Sequence, residues 1–227
     1  MRNQTQSGTM RLSQLESSSL RDRAHAAIRA SISTGELEAD TIHPVSFLTA
    51  RLGVSATPVR EALLDLANEG LVEVLRNRGF RIPTLTEQDL DEIFQLRLML
   101  EVPALVQICR KLTDEQIEEL SRYVEDLEDC ARTGNIAGFL ETDRVFHTRL
   151  LETQGNRRLV TIVSRLRDHA RLHGLPGLAM SGKLVASAQE HRHILNAVVA
   201  GDATECEKWM IKHLEHTRGI WAGREED

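Results

Sequence analysis

The sequence predicts a mainly α-helical protein in two parts: a short helical module ending in a small β-hairpin, and a longer all-α bundle. Apolar residues recur at the three- and four-residue spacing of helices over most of the chain. After Gly70 the pattern becomes strand-like on both sides of Asn77-Arg78-Gly79, residues typical of a tight hairpin turn. No convincing strand follows Thr86. The hairpin therefore separates two helical regions.

The composition is that of an ordinary globular chain and excludes several classes of protein. Apolar residues make up 41% and charged residues 27%, which excludes wholesale disorder. No apolar run approaches the about 18 residues that span a bilayer, and the N-terminus lacks the apolar core of a signal peptide, so we expect a cytoplasmic protein. Cys109, Cys130 and Cys206 are too scattered for a disulfide framework and are interpreted as reduced packing residues.

The net charge of −6 is unevenly distributed. Residues 1–83 carry 10 Lys and Arg against 9 Asp and Glu, whereas residues 84–227 carry 18 against 25. A near-neutral module can bind DNA when a few arginines cluster on one face. The acidic total therefore does not exclude a nucleic-acid partner.

The N-terminal region has the element order of a winged helix-turn-helix. Residues 1–19 are polar and predict a flexible arm. Three helices are expected from Leu20 to Gly35, over Phe47–Leu52, and from the cap residue Ser55 to Gly70, followed by hairpin strands at 71–75 and 80–82. The Gly53 turn lies where the two crossed helices of this motif must meet.

The remainder predicts six helices with short connections, which is typical of a bundle. They are expected at about 86–110, 113–133, 136–153, 157–173, 184–200 and 203–221, with a flexible break at Gly174–Gly182. Pro83 marks the boundary. We therefore predict an arm at 1–19, a winged helix-turn-helix DNA-binding domain at 20–83, and an all-helical domain at 84–227.

The third helix predicts the DNA-reading surface. Ser55, Thr57 and Arg60 lie at its N-terminal end, where free N–H groups and the helix dipole favour a phosphate. Arg78, at the hairpin tip beside Gly79, is placed to enter a minor groove. The alternative is that the hydroxyls only cap the helix and Arg60 pairs with a neighbouring acid. The predicted DNA contacts are Arg51, Ser55, Thr57, Arg60, Arg78 and Gly79.

Four ligand-type side chains on apolar helix faces predict a metal site. Asp143 and His147 are one turn apart on one helix, while His191 and His213 lie 10 residues before and 12 after the Gly201 turn. An antiparallel pair of helices brings these two histidines to nearly the same height. The set suits a divalent ion of the zinc, nickel or manganese class. The alternative is that each histidine makes an ordinary hydrogen bond in the core.

The other histidines are expected at the surface or in secondary roles. They are His25, His43, His169, His173, His193 and His216. His193 is two positions from His191 and is therefore expected to point away from it.

Leu52–Ile82 closely resembles the winged helix-turn-helix of GntR-family bacterial transcription regulators. The helical half, with Asp143-x-x-x-His147, Glu190-His191 and a later His213, resembles the effector (FCD) domain of the FadR subfamily in its six-helix, VanR-like form. The resemblance covers about residues 20–221 and implies that residues 84–227 bind the effector and form the dimer. It also implies the same four metal positions, a homodimer on two-fold-related operator DNA, and repression rather than activation. Ala56 stands where many members of the family have an arginine.

The resemblance also implies that a small organic acid completes the metal coordination. Arg97 and Glu101 form an R-x-x-x-E pair, which could line the effector pocket or form a surface salt bridge. A three-histidine, one-carboxylate site could also be hydrolytic, which leaves a metal-dependent enzyme with a vestigial DNA-binding module as the alternative function. No H-E-x-x-H or G-x-S-x-G motif accompanies the site, so a non-enzymatic regulator is favoured.

Overall fold

The computed structural model describes residues 19–180 and 184–221, and the side chains of these residues apart from 171–180 and 219–221. The N-terminal elements are helices α1 (Leu20–Ser33), α2 (Val45–Leu52) and α3 (Ala56–Asn68) and strands β1 (Ile42–His43), β2 (Glu73–Leu75) and β3 (Gly79–Arg81). The helices that follow are α4 (Glu87–Ile108), α5 (Asp114–Thr133), α6 (Ile136–Glu152), α7 (Arg157–Met180), α8 (Leu184–Ala200) and α9 (Ala203–Trp221). The predicted fold class is confirmed.

The small sheet contains one strand that the sequence did not predict. The strand order is β1-β3-β2, and both pairs are antiparallel. The two residues of β1 are too few to show a period. Gly79 has φ +127°, and a Cβ there would collide with the backbone of His43, so the glycine permits the close approach of β1 and β3.

Among the described residues, the buried apolar side chains form one group in the N-terminal region and two groups in the helical bundle. One joins α1, α2, α3 and the sheet, with Val59, Leu66 and Phe80 fully buried. In the bundle, the larger group has Val124 and Phe146 among its buried members, and the smaller group joins α4, α6 and α7. Each region therefore buries its own apolar stripe, as amphipathic helices require.

The predicted break at Gly174–Gly182 is wrong for residues 174–180. These residues continue α7, which ends at Met180 rather than near residue 173. Glycine and proline lower helix propensity but do not by themselves end a helix. Residues 181 and 182 and the predicted arm at 1–18 lie outside the described residues.

The cysteines are free thiols in the structure. Cys109, which follows α4, has its Sγ 2.9 Å from the Sγ of Cys206 on α9. Burial raises the pKa of the Cys206 thiol. None of the described helices combines the length and the apolar character needed to cross a membrane.

Candidate metal centre and nucleic-acid interface

Four buried side chains from three helices converge in the bundle. Asp143 and His147 come from α6, His191 from α8 and His213 from α9, and one ligand atom of each lies within 4.8 Å of the others. The Nε2 atoms of His147 and His191 are 3.1 Å apart, and Asp143 Oδ1 is 2.9 Å from His191 Nε2. The fold thus brings together the four residues that the sequence selected.

The free electron pairs of this cluster fit a divalent cation. His191 Nδ1 donates a hydrogen bond to the Ser187 carbonyl at 2.7 Å, which leaves its Nε2 as an acceptor. Nε2 of His213 is buried and has no hydrogen-bond partner among the described residues. Ligands bound at about 2.0–2.1 Å to one ion lie about 3 Å from each other. The two pairs of ligand atoms that involve His191 Nε2 are 3.1 and 2.9 Å apart. The donor set is therefore chemically suited to zinc-class ions.

Burial favours the neutral, metal-binding form of the His147 and His213 imidazoles, because it lowers their pKa. Burial lowers the pKa of His147 well below its usual value, and the charge of Arg167 lowers it further. Burial also lowers the pKa of His213 to about 3, with a smaller contribution from His191. A neutral imidazole is the form that can donate an electron pair to a metal.

Glu190 hydrogen-bonds His213 at Nδ1, the ring nitrogen other than the unpartnered Nε2. His213 Nδ1 donates to one carboxylate oxygen at 3.1 Å, and His216 Nδ1 donates to the other at 2.8 Å. Burial opposes ionisation of Glu190, but these hydrogen bonds outweigh it and lower the pKa to about 2. His216 is buried rather than at the surface, and its contact with Glu190 is the secondary role that was the other expectation for it. His193 is exposed and stacks on Trp209, away from the cluster, as predicted.

Arg97 and Glu101 are both buried, so the surface salt bridge considered for them is not what the structure contains. Arg97 Nε donates to Glu101 Oε1 at 2.6 Å. Arg167 of α7 donates to Glu101 Oε2 at 2.6 Å, and its other terminal nitrogen is 3.5 Å from Asp143 Oδ2. This network connects the predicted effector residue to the metal cluster.

Sequence reasoning missed Arg167. It lies four residues after Val163 and three before Ala170, and all three residues are buried. A charged residue within an apolar stripe at helical spacing is the signal that could have identified it, since burying a charge is costly without a partner.

Three of the predicted DNA contacts lie at the N-terminal end of α3 or in its first turns. Ser55 occupies the N-cap position of α3 but makes no capping hydrogen bond through its side chain. Ser55, Thr57 and Arg60 are exposed. The alternative in which the Ser55 hydroxyl is used for capping is therefore not what the structure shows.

Arg60 and Arg78 line the same groove, of about 570 Å³, between α3 and the hairpin. Within the described part of the chain neither guanidinium has an ion-pair partner, so Arg60 does not pair with a neighbouring acid. Arg51 differs, because its guanidinium is 3.0 Å from Glu36. Gly79 lines the groove as well, with its backbone against β1.

Two family profiles match the chain. The profile described as "Bacterial regulatory proteins, gntR family" matches residues 20–82. The profile described as "FCD domain" matches residues 92–216, more than half of the chain. The chain belongs to the GntR family. It is a DNA-binding transcription regulator with an FCD domain, which confirms the resemblance found in the sequence and is consistent with the FadR-like subfamily.

Individual relatives are also transcription regulators. The chain is 30% identical over 170 residues to the "Probable D-xylose utilization operon transcriptional repressor" of Paenarthrobacter nicotinovorans, covering 74% of this chain and 73% of that protein. It is 26% identical over 208 residues to the gluconate operon transcriptional repressor of Bacillus licheniformis, covering 90% of this chain and 84% of that one. These relatives give no support to the enzyme alternative.

A solved structure has the same fold. The Escherichia coli protein McbR/YncC matches with a TM-score of 0.81 at 24% identity, covering 90% of this chain and 97% of that chain. The winged helix-turn-helix followed by a helical bundle is therefore an arrangement already known from an experimental structure.

Proposed function

We propose that this GntR-family regulator is a repressor whose affinity for operator DNA changes when a small organic acid binds beside a divalent ion. Asp143, His147, His191 and His213 would hold the ion. The observation that carries the proposal is their convergence within 4.8 Å at a buried position. Nε2 of His213 points to a ligand because it lacks a hydrogen-bond partner among the described residues.

The charges around the cluster favour an anionic effector. Arg97 and Arg167 carry two positive charges, and the carboxylates of Glu101 and Asp143 balance them. A bound divalent ion would add an uncompensated positive charge and a Lewis-acidic centre for an effector carboxylate. Because excess charge in a buried site is costly, an organic acid would be stabilised there. Arg97 and Arg167 would orient it through charge-assisted hydrogen bonds.

The DNA half of the proposal rests on the exposed N-terminal end of α3. Ser55, Thr57 and Arg60 would contact phosphates and base edges, Arg78 would contact the adjacent minor groove, and Arg51 and Gly79 would lie at the edge of the interface. One winged helix covers a single half-site, so specific binding requires two copies on a two-fold-related operator.

We propose that the second copy docks on an apolar surface of α4. Leu98, Met99, Val102 and Pro103 line an open groove of about 750 Å³ together with Ile211 of α9. Met99 is 69% exposed, although one face of α4 already packs in the core. Replacing Met99 by aspartate is expected to give monomers in analytical ultracentrifugation. A dimer with the parent affinity would place the interface elsewhere.

A fluorescence-anisotropy titration tests the function as a whole. Operator fragments selected from a random DNA pool are titrated with protein whose metal content has been measured by elemental analysis. We expect bound metal in stoichiometric amount, and DNA affinity that shifts when organic acids found by thermal-shift screening are added. Metal-free purified protein that also ignores added Zn²⁺, Ni²⁺ and Mn²⁺ would contradict the proposed centre.

A further inference from the structure

Three consecutive residues of α7 contact three different parts of the molecule. Arg167 reaches Glu101 and Asp143 beside the metal cluster. Asp168 forms an ion pair with Arg29 of α1, and His169 contacts Glu69, the C-cap residue of α3. Successive side chains on a helix point about 100° apart, so one turn can face three neighbours at once. The same segment of α7 therefore contacts the proposed effector site and both partners of the Arg29–Glu69 ion pair, which joins α1 to α3.

His169 holds the C-terminal end of α3. Its Nε2 lies 2.6 Å from the Glu69 carbonyl oxygen and donates a hydrogen bond to it. Carbonyl groups at a helix end lack partners within the helix, and a donor from outside fixes their position. The ring lies directly against Gly70, whose φ is +80°, and a Cβ there would be 2.7 Å from His169 Cε1. The glycine thus makes room for this contact.

Asp168 holds the same end of α3 through α1. Its partner Arg29 also lies 3.6 Å from Glu69 Oε2, and His25 Nε2 lies 3.1 Å from Glu69 Oε1. Asp168 is only 7% exposed, so its charge depends on Arg29 for compensation. Glu69 is therefore contacted from both α1 and α7.

The junction is built from charge contacts rather than close apolar packing. A cavity of about 350 Å³ lies between α1 and α6, and Arg29, Arg144 and Asp168 line it. Arg29 Nε and Glu69 Oε2 are buried without a hydrogen-bond partner among the described residues. An unpaired buried polar group is costly, so a rearrangement that gave either atom a partner would lower the energy of this junction. This junction can therefore shift when α7 shifts.

We propose that Asp168 and His169 are positioning residues that transmit changes at the metal and effector site to the recognition helix α3. The proposal rests on the proposed function for the nature of the signal. A carboxylate that competes for the Arg167 guanidinium would change its bond to Glu101, and α7 would then move Asp168 and His169 with it. This route is direct and does not pass through the Pro83 connection.

Hydrogen–deuterium exchange of the full-length protein tests the route without knowledge of the effector. The change is Glu101→Gln, which keeps the side-chain shape and weakens the bond to Arg167. We expect amide exchange in residues 66–71 to rise by about 5-fold, the effect of losing roughly one hydrogen bond. In a His169→Phe background, which keeps a ring over Gly70 but removes the donor, Glu101→Gln should produce no further rise.

Additivity is the result that would overturn the proposal. One such result is that Glu101→Gln raises exchange by the same factor in the parent, in His169→Phe and in Asp168→Asn. Another is that Glu101→Gln does not change exchange in residues 66–71 at all. Either result would mean that α7 does not carry the signal. Arg165→Gln is the matched control, because Arg165 is exposed on the same helix. It should leave amide exchange in residues 66–71 unchanged.

A second experiment, in which only Zn²⁺ is added, distinguishes failure of this proposal from failure of the proposed function. In the parent, added Zn²⁺ should change exchange in residues 66–71, and His169→Phe should remove that change while binding the same amount of metal. Absence of metal binding in every variant would contradict the metal centre, and the Glu101→Gln cycle would still decide the α7 route. Metal binding with a parent-like response in His169→Phe would overturn the route alone.

Discussion

Replacing His213 by alanine is expected to remove metal-dependent stabilisation. In the proposed centre His213 would supply one of four ligand atoms, and its Nε2 has no hydrogen-bond partner among the described residues. The three remaining ligands would hold the ion more weakly, because a methyl side chain contributes no donor atom. The imidazole is also 1% exposed, so its removal leaves a cavity whether or not metal is present.

The metal-dependent part can be separated from the cavity. When the free ion concentration is 100 times the dissociation constant, binding raises the free energy of unfolding by about 2.7 kcal/mol. For a domain of roughly 150–250 residues, each 1 kcal/mol moves the Tm by about 2–4 °C, so the parent should gain about 5–11 °C when metal is added. The cavity lowers the Tm of the variant equally in both conditions and cancels from this difference.

The assay is differential scanning calorimetry of each protein after chelator treatment and again after Zn²⁺ is restored. The His213→Ala protein should gain less than about 2 °C, while His193→Ala, which removes an exposed ring outside the cluster, should gain as much as the parent. Elemental analysis runs in parallel. A His213→Ala protein with full metal occupancy and the parent's gain in Tm would refute the assignment.

Three further predictions concern the DNA surface, the support of the metal ligand and the coupling of the two halves. Arg60→Ala should weaken operator binding by about 1–3 kcal/mol and Arg78→Ala should reduce the salt dependence by about one phosphate contact, both measured by anisotropy at several salt concentrations. Unchanged binding in Arg60→Ala would mean that α3 does not read the DNA. Glu190→Gln should lower metal affinity by about 10–100-fold in competition with a chelator, because His213 loses its carboxylate partner; parent-like affinity would assign Glu190 a purely structural role. Calorimetric titration of an effector acid should give different affinities with and without operator DNA, since coupling is reciprocal, and equal affinities would separate ligand binding from regulation.

Local patterns were sufficient to predict most of the fold. Stripes of apolar residues set the helices, and the Gly201 turn predicted that His191 and His213 would meet at one height. Strand β1 could not be predicted, because two residues show no period and pair only once β3 is in place. Glycine and proline within 174–180 suggested a break, yet α7 continues through them.

The site was predicted less completely than the fold, for a physical reason. The four candidate metal ligands share apolar faces, which a pattern can reveal, but the contacts of Arg167 with Glu101 and Asp143 join residues 66 and 24 positions apart. Likewise, the partners of Asp168 and His169 lie in the N-terminal region. Such pairings depend on tertiary packing, which sequence spacing does not encode.

The burial of the proposed metal centre limits how fast an ion could leave it. His147, His191 and His213 are each at most 1% exposed, so an ion bound to them could leave only when the bundle opens locally. Its rate of release would then report how often α6, α8 and α9 separate, and would depend little on the concentration of free ion outside. Because the proposed organic acid would coordinate the same buried ion, its entry would depend on the same local opening of the bundle.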